Sequence, residues 1–280
     1  MLQAIRFPTW PLLLRKPLCL WFIKRKKLKS LPFKTRLNKF IFEGDAANLI
    51  DYHILSRGAF EPGLTELLKT WGKAIDNSLI LDVGANVGVH SIGVCRAYEE
   101  VLSVEPFPPL IERLKHHIEI NKIQNIKLIR GGLAAADSEA NFIPPESGNL
   151  GTGRVAKVAS SKNESDELRI QLFSGDNLIN KQARSLAAIK IDVEGHELDV
   201  LSGLRSSINH YRPLIVCELL TNADAHISKF KSLLPESYRF YSLNNIKRKK
   251  FNLSKWDGGA GDIVACPSER IDRINGYIIN

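Results

Sequence analysis

One stretch of this sequence restricts the fold more than any other. An apolar run, Leu79-Ile80-Leu81, leads into Asp82-Val83-Gly84-Ala85-Asn86-Val87-Gly88, and the next apolar run, Val101 to Val104, ends in Glu105. Short, nearly uncharged runs of this kind read as strands buried on both faces, the signature of a parallel sheet wrapped by helices. Gly84 allows a tight turn and Gly88 a close helix contact, so the backbone can approach a ligand at the head of the following helix. Glu105 lies 23 residues beyond Asp82 at the carboxyl end of its strand, where an acid can accept hydrogen bonds from the ribose hydroxyls of a nucleoside. It would serve equally as a cap for the following helix. A dinucleotide site would want G-x-G-x-x-G; Asn86 occupies the second glycine's place, which disfavours a nicotinamide dehydrogenase. Asp82, the acid opening the turn, suits a cofactor with an amino-acid tail and a sulfonium better than one carrying phosphates.

The rest of the chain alternates in the same manner. A helix is expected near 88–98, then a proline-started helix in which Leu110, Leu114 and Ile118 repeat at four-residue spacing, then a strand at Ile126 to Ile129. An irregular stretch, 138–167, carries Pro144-Pro145 and Gly148, Gly151 and Gly153, and reads as a hairpin or a flap. A fourth strand is expected over Ala187 to Val193, its helix marked by Leu198, Leu201, Leu204 and Ile208, and a fifth over Leu214 to Leu219. Weaker strands near 238–243 and 261–266 would close the sheet as an antiparallel pair, with Lys247 to Lys250 in an exposed hairpin loop. The pattern predicts an α/β, Rossmann-like fold over 79–280: a mostly parallel seven-stranded sheet with helices on both faces. A helical lead-in over 41–78 precedes it, and a basic, apolar extension covers 1–40.

The net charge of +9 belongs to that extension. Residues 1–40 hold 11 Lys and Arg and no acid, whereas the remaining 240 hold 28 basic and 30 acidic residues. A near-neutral body argues against a nucleic-acid-binding face. In the extension, Arg15 and Lys16 split the apolar residues into pieces well short of the ~20 needed for a spanning helix. Residues 1–40 therefore read as a segment for an anionic membrane surface or as a disordered tail, giving a cytoplasmic protein, peripheral on the cytosolic membrane face in the first case. Cys19, Cys95, Cys217 and Cys266 show no C-x-x-C pairing, which fits reduced thiols and neither a disulfide framework nor a zinc site.

Asp82 to Gly88, Glu105-Pro106, Lys190-Ile-Asp-Val-Glu-Gly-His-Glu197, Arg212-Pro213 and Glu218 together resemble the FkbM family of S-adenosylmethionine-dependent methyltransferases, as does Gly58-Ala-Phe-Glu-Pro62 just upstream. The likeness runs from Gly58 to Glu218 and departs at Leu133 to Asp137, where the family has A-L-x-D. It implies a class I methyltransferase fold, S-adenosylmethionine as cofactor, and methyl transfer to a hydroxyl of a saccharide, glycolipid or natural product. It also implies that Gly84, Ala85, Asn86 and Gly88 underlie the methionine part of the cofactor, that Glu105 holds the ribose with Pro106 and Phe107 on its rim, and that Glu61 approaches the cofactor from the lead-in helix, where it would otherwise be an ordinary helix-start acid.

A second cluster comprises Lys190, Asp192, Glu194, His196 and Glu197. In an open α/β sheet, ligands lie beyond the carboxyl ends of the strands, which is where Glu194 and His196 must be. An acceptor alcohol sheds a proton as it attacks, and Asp192, Glu194 or His196 could receive it. Alternatively, Lys190 and Asp192 form a buried ion pair and Glu194 to Glu197 cap a helix. Asp192, Glu194 and Glu218 could together hold Mg²⁺, although a metal is not the expected reading. His90, His116, His117 and His226 fall in helical patterns as surface or packing residues. Methylation of RNA, protein or a small metabolite is the competing enzyme reading; Asp192-Val-Glu-Gly stands where amino-methylating nucleic-acid enzymes carry [DNS]-P-P-[YFW]. A non-catalytic cofactor-binding or membrane scaffold is the third.

Overall fold

The computed structural model describes residues 5–6, 30–145, 150–156, 168–246 and 250–279. A short strand β1 (Ile5–Arg6) runs alongside a hairpin of β2 (Pro32–Leu37) and β3 (Phe40–Asp45). Two helices follow, α1 (Leu49–Arg57) and α2 (Pro62–Gly72). The sheet then begins: β4 (Ser78–Val83), α3 (Val89–Val94), β5 (Glu100–Glu105), α4 (Pro108–Ile120) and β6 (Ile126–Arg130). An inserted group comprises β7 (Gly132–Ala134), β8 (Ser138–Ile143), β9 (Arg154–Val155) and β10 (Leu168–Ser174). Next come α5 (Gly175–Ile179), β11 (Ser185–Ile191), α6 (Glu197–Gly203), α7 (Arg205–Tyr211), β12 (Leu214–Leu219) and α8 (Asp224–Ser232). The chain closes with β13 (Tyr238–Ile246), β14 (Lys250–Lys255), β15 (Gly261–Pro267) and β16 (Ile278–Ile279).

The main sheet has the order β16-β14-β13-β15-β12-β11-β4-β5-β6. Its central seven strands, β6-β5-β4-β11-β12-β15-β13, are parallel except for β15, which runs against both neighbours. This is the Rossmann-like class I methyltransferase arrangement expected from the sequence. Two further edge strands, β14 and β16, make the sheet nine-stranded instead of seven; Leu253 of β14 is fully buried, so the apolar layer continues under the extra hairpin. Chain reversal from β5 to β4 to β11 places the switch in strand order at the carboxyl ends of β4, β5 and β11.

Both faces of the sheet are covered, which is why β4 reads as an unbroken apolar run. Leu79, Leu81 and Val83 pack with α6 and α7 through Val200, Leu201, Leu204 and Ile208, while Ile80 packs on the opposite layer with Leu64, Leu68 and Trp71 of α2. Trp71 is fully buried and its indole N–H donates to the Ala187 carbonyl at 2.8 Å, tying α2 to β11.

The structure corrects the sequence reading in two places and gives a third its form. The expected boundary at residue 40 falls inside the β2–β3 hairpin, whose turn is Asn38-Lys39 with both residues at positive φ (51° and 74°). The hairpin docks on α4: the Asn121 side chain pairs with both backbone groups of Ile41 (2.6 and 2.8 Å), and Phe42 stacks on His117. The fourth strand ends at Ile191, so Asp192 lies in the turn beyond it, not inside an apolar strand. The irregular 138–167 stretch contributes β8 and β9 to a four-stranded sheet, β7-β10-β8-β9; residues 146–149 and 157–167 lie outside the described residues, as do 7–29 of the N-terminal extension and 247–249 of the basic loop.

Candidate active site

The turn after β4 is built by its glycines. Gly84 has φ +77°, and a Cβ there would sit 1.8 Å from the Asp192 carbonyl oxygen, so only glycine lets the β4 and β11 turns close on each other. Gly88 has φ +84°, and a Cβ would meet Leu114 of α4 at 2.2 Å; its smallness serves contact with that helix, not with the strand. The Gly84 and Ala85 N–H groups both donate to the Val104 carbonyl at 3.0 Å, holding the turn over the end of β5.

Glu105 faces this turn. Its Oε2 accepts from the Asn86 N–H at 2.8 Å and its Oε1 from the Phe107 N–H at 3.0 Å. The group is buried, and burial pushes its pKa up to about 7, against the pull of those two N–H donors. A cavity of about 610 Å³ opens above it, lined by Gly84, Asn86, Glu105, Pro106, Leu133 and Phe142 among others. Phe107 does not line this cavity; its ring packs on Phe142 with centroids 5.9 Å apart, supporting the wall from behind.

Asp82 points beneath the turn, away from both cavities. It accepts a hydrogen bond from the Ser91 hydroxyl and lies 3.6 Å from the Lys190 ammonium. Lys190 is buried and donates to the Gly84 carbonyl (3.0 Å) and to Asp192 (3.2 Å), joining the two turns. Burial alone would lower its pKa, but the Asp192 and Asp82 carboxylates outweigh that and hold the ammonium above its usual range. The ion-pair reading of Lys190 and Asp192 is therefore what the geometry shows.

A second cavity, about 770 Å³, lies on the other side of the turn and shares Gly84, Asn86, Asp192 and Glu194 with the first. Glu61, Ala85, His90, Lys190 and Glu218 also line it. Glu61 is strained, at φ 39° immediately before Pro62, and its carboxylate reaches the His90 Nε2 at 3.0 Å. His90 in turn meets the Thr65 hydroxyl through Nδ1 at 3.1 Å. Thus His90, read from sequence as a packing residue, is buried at the cavity wall; its place two residues after Gly88, in the first turn of α3, was the available signal. Burial pushes the Glu218 carboxyl up to about 8, assisted by the neighbouring Asp192 charge, and Glu218 donates a hydrogen bond to Asp192. Burial also acts upward on Asp192, but Lys190 and that hydrogen bond keep it below its usual value.

Glu194 stands where the two cavities meet, at φ 53°, in the left-handed region that a non-glycine residue occupies only at a cost. Burial, then the charges of Asp192 and Glu197, raise its pKa. His196 lines the first cavity; its Nδ1 lies 3.3 Å from Asp199, and its Nε2 is buried without a partner. Glu197 turns inward and accepts from the Gly195 N–H at 2.7 Å, the capping role foreseen as an alternative. Arg212 sits at the far end of β12, bound to Glu269 at 2.8 Å, remote from either cavity's lining. Among the described residues, no group of three or more His, Cys, Asp or Glu side chains is placed to hold a metal ion, so the sequence-level Mg²⁺ set of Asp192, Glu194 and Glu218 does not form one. Cys95, Cys217 and Cys266 are buried thiols, each with its pKa raised chiefly by burial.

The chain is similar to known methyltransferases. The hexuronic acid methyltransferase AglP of Haloferax volcanii is 30% identical over 145 residues, covering 51% of this chain and 57% of that one. Methyltransferase 1 of Beauveria bassiana is 25% identical over 147 residues, covering 46% and 59% respectively. The chain thus spans less than two-thirds of the length of these relatives. Among solved structures, the methyltransferase FkbM of Methylobacillus flagellatus aligns with a TM-score of 0.45 at 16% identity, covering 77% of this chain and 52% of that one. The family model described as the methyltransferase FkbM domain matches residues 82–240, more than half of the sequence. This chain belongs to the FkbM methyltransferase family.

Proposed function

We propose that this protein transfers a methyl group from S-adenosylmethionine to a hydroxyl oxygen of a saccharide. The observation that carries the reading is Glu105: a buried carboxylate directed at the Asn86 N–H, at the head of a cavity with both polar and apolar lining. The residues present fit the cofactor. Gly84 lets the β4 and β11 turns close on each other beside the cavity, the Glu105 carboxylate suits a ribose diol, and Pro106, Leu133 and Phe142 supply apolar walls for a base. The carboxylates of Asp192, Glu218 and Glu61, on the second cavity, suit the cationic methionine end. When bound, the cofactor would supply an electrophilic methyl group on a sulfonium, with the neutral thioether as leaving group.

The chain's own task is positioning and proton transfer. Both cavities meet at Glu194, whose raised pKa makes it a better proton acceptor near neutrality than an ordinary glutamate. Asp192 is committed to Lys190 and Glu218, so it orients its neighbours instead of taking the proton. Asp199 lies beside His196 Nδ1, and the Nε2 atom is buried, so His196 serves the cavity wall and Glu194 is the proton acceptor of the reading. The saccharide part of the reading is supported by the name of the Haloferax relative, a hexuronic acid methyltransferase.

The test is thermal shift with S-adenosylhomocysteine and with NAD, followed by methyl transfer to saccharide acceptors. Glu105→Ala is expected to abolish the S-adenosylhomocysteine shift, whereas Glu194→Gln keeps the shift and lowers turnover by 10²-fold or more, roughly the worth of a general base. Stabilisation by NAD alone, or full activity in both variants, would refute the assignment. We also propose that residues 1–40 bind an anionic membrane surface. No helix among the described residues is long and apolar enough to span a bilayer; undiminished binding to phosphatidylserine vesicles after deletion of 1–29, which leaves the β2–β3 hairpin whole, would exclude the proposal.

A further inference from the structure

We infer that the acceptor is an uncharged or amine-bearing hydroxyl compound with one apolar face, and that acceptors carrying a carboxylate, phosphate or sulfate are rejected. This rests on the methyl-transfer reading above and narrows its substrate. The first cavity, with Glu105 and its apolar walls, accounts for a nucleoside, and the acids around Lys190 take the cationic methionine end, so the acceptor reaches the junction at Glu194 through the remainder of the second cavity.

The charges of that second cavity are one-sided. Four carboxyl groups line it, from three different places in the chain: Glu61 before α2, Asp192 and Glu194 after β11, and Glu218 on β12. Asp262 of β15 pairs in register with Glu218 and adds a fifth carboxyl behind them. Lys190 is the cation on the lining, and its ammonium is already engaged by the Gly84 carbonyl, Asp192 and Asp82 at 3.0, 3.2 and 3.6 Å. His90 has Thr65 on one ring nitrogen and Glu61 on the other. Arg154 borders the first cavity instead and faces Glu194. Even with Asp192 and Glu218 sharing a proton, and with a cationic cofactor end present, an incoming anion would meet excess negative charge in a partly desolvated space, where like charges repel far more strongly than in water. Leu49, Ile50, Phe60 and Val89 also line the cavity and give it apolar surface suited to the face of a ring. Leu49 is 45% exposed, so this surface extends to the mouth. The name of the Haloferax relative points to an acidic sugar; the cavity here argues against carrying that acceptor across.

The test compares matched acceptors that differ at one carbon: methyl glucoside, methyl glucosaminide and methyl glucuronide, with methyl transfer read by mass. The expected result is a kcat/KM for the neutral or amino sugar at least about tenfold above that for the glucuronide at low salt. The gap should narrow at high salt and in Glu61→Gln and Glu218→Gln, measured as a ratio within each variant so that a general loss of activity cancels. A glucuronide used as well as or better than the glucoside overturns this inference and leaves methyl transfer standing. If none of the three is methylated while S-adenosylhomocysteine still stabilises the protein, the saccharide reading falls, and this inference with it.

Discussion

Gly84 and Gly195 show how differently two left-handed glycines can behave. Both have positive φ, +77° and +99°, yet a Cβ at Gly84 would lie 1.8 Å from the Asp192 carbonyl oxygen, whereas at Gly195 nothing lies within 4 Å. Gly195→Ala therefore costs only backbone strain, about 1–2 kcal/mol. Gly84→Ala must also push the β11 turn away, and is expected to cost more than about 3 kcal/mol and to remove the S-adenosylhomocysteine shift. Urea denaturation of both variants checks this; equal losses would show that the carbonyl contact is not the cause. The Asp82-to-Gly88 turn and Glu105 were legible in the sequence because such a backbone approach requires particular residues at fixed places in one local segment. What was not legible is pairing between segments. Nothing local says that Glu61 faces His90, that Glu218 shares a proton with Asp192, or that Asp82 turns inward to Lys190, since those contacts depend on which strands become neighbours.

Elements followed their patterns where burial was two-sided and departed where it was not. β4, β5, β11 and β12 are buried through nearly their whole length, and their apolar runs announced them. The β2–β3 hairpin escaped because its alternation, Phe33, Thr35 and Leu37 inward against Lys34 and Arg36 outward, lies in a segment dominated by basic charge. Its attachment is specific. Asp51 of α1 is fully buried, receives Arg113 on both oxygens at 2.9 Å, and accepts the Asp45 N–H at 2.9 Å. Asp51→Asn keeps the shape but removes the charge facing a partly exposed guanidinium, so a cost of about 1–3 kcal/mol is expected. The loss should be local. Hydrogen exchange is expected to quicken over 32–45 while the amides of β4 and β11 keep their protection; uniform acceleration would mean that the hairpin is integral to the sheet's cooperative unit.

At the scale of the whole molecule, carboxyls displaced in opposite directions divide the pH axis. Burial raises Glu105 to about 7, Glu218 to about 8 and Asp262 to about 6, each above the ordinary carboxyl value it takes on unfolding. Between the unfolded and folded values the native state binds more protons, so the stability these groups contribute is complete below pH ~4 and is lost as pH rises through 6 to 8. The opposite group is Glu269, lowered to about 2 by its hydrogen bond to Arg212, whose contribution is present above the ordinary carboxyl range and is lost as pH falls toward 2. The ligand-free protein should therefore be most stable near pH ~5 and decline toward pH ~8. Because Glu218 is partly open to water, its share is discounted for screening, but Glu105 and Asp262 remain, so the decline is expected to be on the order of several kcal/mol and to show as a clear fall in Tm. Glu218→Gln removes the group that must ionise last, so its Tm should exceed the parent's at pH ~8 and match it at pH ~5. Calorimetry across that range is the measurement. A parent Tm that rises steadily from pH 5 to 8 would mean that the cluster at the strand ends is ionised without penalty, and that the crowding of acids around the second cavity is not the energetic feature it is taken to be.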